Sequence, residues 1–319
     1  YREGLRSLAR RAGVEFAAAP FARAARDAAG DVEGIVLRDG TPLMPDLVVD
    51  ASGPAAHVHS QASKAPRIDW SSATPVDRLS RLACPRSPRL SLNDRVSGSA
   101  HAYTIASPGR DGTHWWQAWS SRIWSDDEAQ DQLAKLAGEV PEAPIALHPG
   151  RAAEPWAGRV VAIGDAAATF EPLGWANLHL AAWQILLLLE LLPGKGDDPV
   201  ERAEYNRRAT LLAGHAHDFV VAHHGHGEAS ATLALRRDQF AHRGWLPIAE
   251  GDSIPLDLWA QLFIARQSGP GPLPRLISTS ARERHRVEDE HRRRVALAVA
   301  SACPYPVWLR EQFGVGPGK

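Results

Sequence analysis

Apolar residues recur along this chain with two periods, and the alternation between them predicts the architecture. Leu5, Leu8 and Ala12 share one helical face within residues 3–12, closed by Gly13, so an amphipathic helix is expected, then a short strand at Val14–Phe16. Val32–Leu37 and Leu43–Val49 flank Asp39-Gly40, a hairpin signature because both turn residues tolerate positive φ. Asp46-Leu-Val-Val-Asp-Ala-Ser-Gly53 reads as a buried strand ending at a glycine turn, and Arg159-Val-Val-Ala-Ile-Gly-Asp165 repeats that form. Continuous apolar runs of this kind belong to parallel strands covered on both faces, so the two are expected in one layer.

Between them, residues 66–125 are rich in Ser, Pro and Trp, with short alternating runs at Ala102–Ile105 and His114–Trp119 that predict a β-rich layer. Ser125 with Glu128 three residues on, and Asp198 before Pro199, mark two helix starts. The second helix runs toward His224 with Tyr205, Ala209, Leu212, Ala216, Phe219 and Val220 on one face. Further helices are expected to Trp308, with the mixed charges of Arg282–Arg294 on a solvated face. Leu178–Leu192 is nearly all apolar, but His179, Trp183, Gln184 and Glu190 interrupt it. It falls short of the roughly 20 apolar residues a membrane span needs, so a buried core helix is expected.

Composition narrows the class. The chain has 319 residues, 44% hydrophobic and 23% charged, with a formal net charge of −1. That excludes a global field suited to nucleic acid or an anionic membrane. Cys84 and Cys303 have no metal or redox spacing and fit a reducing, cytoplasmic setting. No signal peptide opens the chain, which starts at Tyr1 with Met44 as its only methionine, so a processed chain or a piece of a longer one is expected.

The candidate chemistry centres on Gly164 to Ala182, where a strand meets a helix through a Pro-bearing loop. Such a junction cradles an anion or an electron-rich ring, because a helix amino terminus offers free N–H groups. Gly164 lets backbone approach a ligand closely, and Asp165 can hydrogen-bond a sugar-like hydroxyl. The glycine fingerprint G-x-G-x-x-G is absent from the chain; Gly109–Gly112, Gly194–Gly196 and Gly269-Pro-Gly271 read as turns or polar loops. The histidines His215, His217, His223, His224 and His226 lack metal-ligand spacing, since His215 and His217 face different sides of a helix. No metal is expected. Ser52-Gly53 is not a nucleophile elbow. Trp115, Trp116, Trp119 and Trp124 fit either sheet packing or the wall of an aromatic cavity.

Four segments in order resemble the flavin-dependent tryptophan halogenase family: Asp46–Gly53; Asp69-Trp-Ser71 leading to Pro75–Arg78; Ile123–Ala129; and Gly164–His179 continuing to Tyr205–Arg208 and His217–His223. The likeness runs from Tyr1 to about Leu262. It implies an α/β flavoprotein of Rossmann-like fold, with the first βαβ missing, an inserted β-rich substrate layer and a helical C-terminal region. The implied division is 1–60 and 151–195 for FAD, 61–150 for substrate and 196–319 for the helical part. It also implies reduced FAD supplied by a separate flavin reductase, oxygen, a chloride or bromide ion oxidised to hypohalous acid, and a small aromatic, indole-like substrate. A homodimer is compatible with it.

Carried over residue by residue, the resemblance assigns cofactor contacts to Gly53, Gly164, Asp165, Pro172, Leu173, Gly174 and Asn177. It assigns a substrate wall to His101, Tyr103 and Trp175. The departures are specific. The family's glycine motif and catalytic lysine have no counterpart in this chain. W-x-W-x-I-P is matched only by His101-Ala-Tyr-Thr-Ile-Ala106, and Gly174 stands where the family places its catalytic Glu. Glu171 is a nearby substitute, though a carboxylate beside a helix start is the commoner reason for an acid there. Aromatic hydroxylation and a non-catalytic remnant therefore stand as alternatives to halogenation.

Overall fold

The computed structural model describes residues 2–85, 91–99, 101–109, 112–192, 194, 198–225, 229–266, 269–271 and 278–314. His226 and residues 195–196, weighed above, lie outside them. Chain order begins with α1 (Arg2–Arg11), β1 (Phe21–Arg26), β2 (Val32–Leu37), β3 (Pro42–Leu43), β4 (Val48–Asp50), α2 (His59–Ala62) and β5 (Arg67–Asp69). Strands β6 (Arg78–Pro85), β7 (Arg95–Gly98), β8 (Ala102–Pro108) and β9 (Gly112–Trp119) precede α3 (Asp126–Ala137) and β10 (Ile145–Ala146). Then come β11 (Gly150–Ala152), β12 (Trp156–Ala157), β13 (Val160–Ala162), β14 (Ala168–Thr169), α4 (Ala176–Glu190), α5 (Pro199–His224), α6 (Ala231–Arg243) and α7 (Leu256–Ala265). Two further helices, Ala281–Ser301 and Tyr305–Phe313, follow.

The two apolar runs do share a layer: β13 pairs parallel with β4, Val160 beside Val48 and Ala162 beside Asp50, while β12 pairs antiparallel on its other side. All three β13 residues are fully buried, as strands with both faces covered must be. The β-rich stretch forms one antiparallel sheet in the order β10-β6-β9-β8-β7. Its two faces differ. Tyr103, Ile105 and Ala118 join Val76, Leu79 and Leu173 in one cluster, with Trp116 packed against it, whereas Trp119 packs with Ala129 of α3 and with Trp124. Period-2 alternation sends Trp116 and its neighbours Trp115 and Gln117 to opposite faces. Both anticipated helix caps form. Ser125 and Glu128 make a reciprocal capping box, and Asp198 accepts from the Val200 amide with Pro199 in the first turn.

Three expectations need correction. Val14–Phe16 is not a strand; Phe16 instead lies under the guanidinium groups of Arg6 and Arg10. The second arm of the hairpin is only Pro42–Leu43, because Val48–Asp50 leaves it for the β13 layer. Helix α1 forms where an amphipathic helix was expected, and its apolar face is uncovered, with no buried residue. Helix α4 is not buried all round: a stripe of Ala176, Leu180, Gln184, Leu187 and Leu188 is covered, while Leu178, Leu186 and Leu189 face outward. A helix with neighbours on one side can bury only that face, whatever the polarity of the rest. The Ala281–Ser301 helix is exposed along its length, as its charges predict.

Candidate functional site

Two backbone turns build the site. At the end of β13, Gly164 adopts φ +59°, a left-handed conformation where a side chain is disfavoured, and its N–H donates to the buried Gln184 side chain of α4 at 2.7 Å. Asp165 follows, and its carboxylate accepts from Asn177 Nδ2 at 2.5 Å, so these two residues, 12 apart in sequence, meet. Thr169 Oγ1 donates to the Asp165 carbonyl at 3.0 Å. From behind, Arg67 donates to the Ala166 carbonyl at 3.1 Å, the Gly150 carbonyl at 3.0 Å and Thr169 Oγ1 at 3.3 Å. A guanidinium with several acceptors fixes the loop at points the loop cannot fix for itself.

The second turn starts α4. Gly174 has φ +73° and Trp175 φ +54°, two successive left-handed residues, the latter bulky. A non-glycine residue there is strained and persists only when its surroundings hold it. Trp175 Nε1 donates to Asp94 Oδ2 at 2.8 Å, and its ring meets Trp116 edge-on at 5.0 Å. The first turn of α4 has no side-chain cap, so its amides remain available as donors.

Glu171 is not a helix-end carboxylate in solvent. It is fully buried, accepts from the Tyr103 hydroxyl at 2.8 Å through Oε2, and accepts from His224 Nε2 through Oε1. Burial pushes the Tyr103 phenol well above its ordinary range, and the charge and hydrogen bond of Glu171 act in the same direction. Arg266 donates to the His224 carbonyl, fixing the end of α5. This network joins the five-stranded antiparallel sheet, the loop before α4 and the end of α5 through one carboxylate.

Nearby, Asp50 at the end of β4 shapes the Gly53 turn. Burial pushes its carboxyl up, but the amides of His59, Ser52 and Val58 outweigh that and hold it below the usual range. Gly53 itself has φ +86° with open space where a Cβ would point.

The structure thus brings Gly164, Asp165 and Asn177 together, and gathers Leu173, Gly174, Trp175 and Tyr103 around Trp116 and Glu171. Pro172 begins the turn at Gly174. His101 stands exposed ahead of β8. Of the four tryptophans weighed for a cavity, Trp116 lies on the site face, while Trp119 and Trp124 pack with α3. Sequence reading missed Arg67, Gln184 and the pairing of His224 with Glu171. His224 had a signal: it continues the buried stripe of α5 four residues beyond Val220. Among the described residues no group of three or more His, Cys, Asp or Glu could hold a metal ion.

Comparison with known proteins decides the family. Its description, tryptophan halogenase, matches residues 1–233. The chain belongs to the tryptophan halogenase family. Among curated relatives it is 27% identical over 207 residues to the tryptophan 7-halogenase RebH of Lentzea aerocolonigenes, covering 62% of this chain and 39% of that protein. It is 24% identical over 209 residues to the tryptophan 6-halogenase SttH of Streptomyces toxytricini, again covering 39% of the relative. The chain therefore matches about two-fifths of the length of these relatives. Among solved structures, the flavin-dependent halogenases Xcc4156 of Xanthomonas campestris and BrvH of Brevundimonas share the fold. Their TM-scores are 0.90 and 0.88 at 24% and 22% identity, covering 98% and 97% of this chain and 67% of each of theirs. The shared fold extends past Leu262, where the likeness in sequence fades. No helix among the described residues is long and apolar enough to cross a membrane.

Proposed function

We propose that this chain carries the flavin- and substrate-facing core of an FAD-dependent halogenase that acts on an indole-like aromatic substrate, with a flavin reductase as its partner. The observation that carries the reading is the Asp165–Asn177 pair beside the uncapped start of α4, reached through the left-handed Gly164. A carboxylate, an amide and open backbone N–H groups at a strand-to-helix turn suit the hydroxyl-bearing chain and polar ring edge of a flavin. Asp165 and Asn177 would hold the hydroxyls, Gly164 and Gly53 would admit close approach, and the turn Pro172–Gly174 would lie against the ring. FAD bound in its reduced form would supply the two electrons that activate oxygen, and the activated oxygen would be the oxidant for the halide.

The chain's own residues do the rest. Leu173, buried with Val76, Leu79, Tyr103 and Ile105, keeps water from one side. Trp175 and Trp116 offer crossed ring faces to an aromatic substrate.

The test supplies the protein with FAD, a flavin reductase, oxygen, chloride or bromide, and indole or tryptophan, and reads the product by mass spectrometry. A product carrying the halogen isotope pattern is expected; one carrying only an added oxygen would overturn halogenation in favour of hydroxylation. Asp165→Ala should weaken FAD binding at least about tenfold, since a hydrogen bond to a charged group contributes about 1.5–3 kcal/mol.

A further inference from the structure

The position that the halogenase resemblance assigns to an acid is a glycine here, and the structure shows what borders it. A Cβ built on Gly174 would lie 3.4 Å from His223 Cε1 and 3.4 Å from Phe219 Cε1. The imidazole of His223, half-buried near the end of α5, thus flanks the place where that acid's side chain would begin. Its tautomer is fixed by its own helix. Nδ1 lies 2.8 Å from the Phe219 carbonyl, and a carbonyl can only accept, so Nδ1 carries the hydrogen. In the neutral ring Nε2 is then a lone pair, and it has no hydrogen-bond partner among the described residues. Phe219 meets the ring edge-on at 4.6 Å and keeps it from turning.

We propose that His223 is the acid–base group of this site, accepting the proton of the substrate carbon on Nε2. The inference rests on the halogenase reading above. In the step, hypohalous acid transfers its halogen to the arene: the carbon–halogen bond forms as the oxygen–halogen bond breaks. The proton of that carbon passes to Nε2, and the imidazolium returns it to the departing hydroxide as water, so arene and hypohalous acid give haloarene and water.

Charge supports a neutral, proton-accepting ring. Burial pushes the His223 imidazole below the ordinary histidine range. His224 and Arg266 push the same way, while the Phe219 carbonyl and Glu171 oppose them. A neutral ring with a fixed tautomer is what proton acceptance on Nε2 requires.

The test separates the chemical role from the structural one. His223→Asn keeps a donor where Nδ1 bonds the Phe219 carbonyl but removes Nε2; His223→Gln removes the Nδ1 contact instead. In protein that halogenates indole, His223→Asn should lower product formation by about 10²-fold or more. Hypohalous acid captured by an added trapping reagent, and FAD affinity, should stay unchanged. The wild-type rate should fall as pH drops through a midpoint below about 6.5, the ordinary histidine value, and the variant should lack that step. If the wild type halogenates and His223→Asn does so equally well, the proposal is overturned and the halogenase reading stands.

If the wild type does not halogenate, that reading fails, and nitrogen-15 NMR of the full chain still decides whether Nε2 of His223 faces the bound arene as a lone pair. The Nδ1–H tautomer with an Nε2 signal that moves when indole is added supports it. The opposite tautomer, or a signal indifferent to indole, overturns it.

Discussion

Removing a single oxygen from the carboxylate network gives a measurable test of the site. Tyr103→Phe deletes the hydroxyl that donates to Glu171 Oε2 at 2.8 Å and leaves every ring contact in place. Glu171 is fully buried, so the abandoned oxygen has no water to turn to. A hydrogen bond to a charged group contributes about 1.5–3 kcal/mol, and an unsatisfied buried oxygen costs a similar amount. With about 2.1 cal/mol/K of unfolding entropy per residue, a chain of this length loses about 1.5 °C of Tm per kcal/mol. Tyr103→Phe should therefore lower Tm by about 2–4 °C in calorimetry at neutral pH. Glu171→Gln keeps an acceptor for one of its two donors and should fall between wild type and Glu171→Ala. The tyrosinate absorbance of the wild type should include two phenols that resist ionisation above the ordinary tyrosine range, Tyr205 through burial and Tyr103 through burial and Glu171 together, and Tyr103→Phe should remove one of them. A Tm change under about 1 °C, or a count of resistant phenols that Tyr103→Phe leaves unchanged, would refute the picture of one carboxylate joining sheet, loop and helix.

Gly174→Ala should lower Tm by about 1.5–3 °C, because a side chain in a left-handed conformation costs about 1–2 kcal/mol; an unchanged Tm would show that φ +73° is not held. His217 stacks on Trp70 at 4.2 Å, and burial lowers its pKa to about 4. Its folded pKa lies below the unfolded value, so the fold's preference for the neutral ring is intact above about pH 6.5 and weakens by up to about 1.4 kcal/mol per pH unit as pH falls toward 4. His217→Phe should flatten that part of the acid-denaturation curve, and an identical curve would count against the assignment.

Elements whose signals are local were legible in the residues alone. The capping box at Ser125, the Pro199 helix start and the buried stripe of α5 are decided by neighbours within a turn or two, so periodicity reads them. The parallel pairing of Val48–Asp50 with Val160–Ala162 was legible because an unbroken apolar run has few other places to go. The Asp165 and Gly174 turns were visible through their residue types and their likeness to a family.

Tertiary structure alone decided the rest. Which face of α4 is covered depends on where α5 lies, and no pattern within Leu178–Leu192 encodes that. The partners of Glu171 come from residues 68 positions before it and 53 after it. Hydrogen bonds over such separations leave no mark in spacing, because the chain between them is free to vary in length and path. The same holds for His223 beside Gly174: a glycine has no side chain to announce its neighbour, and only the packing of α5 against the turn sets that histidine there.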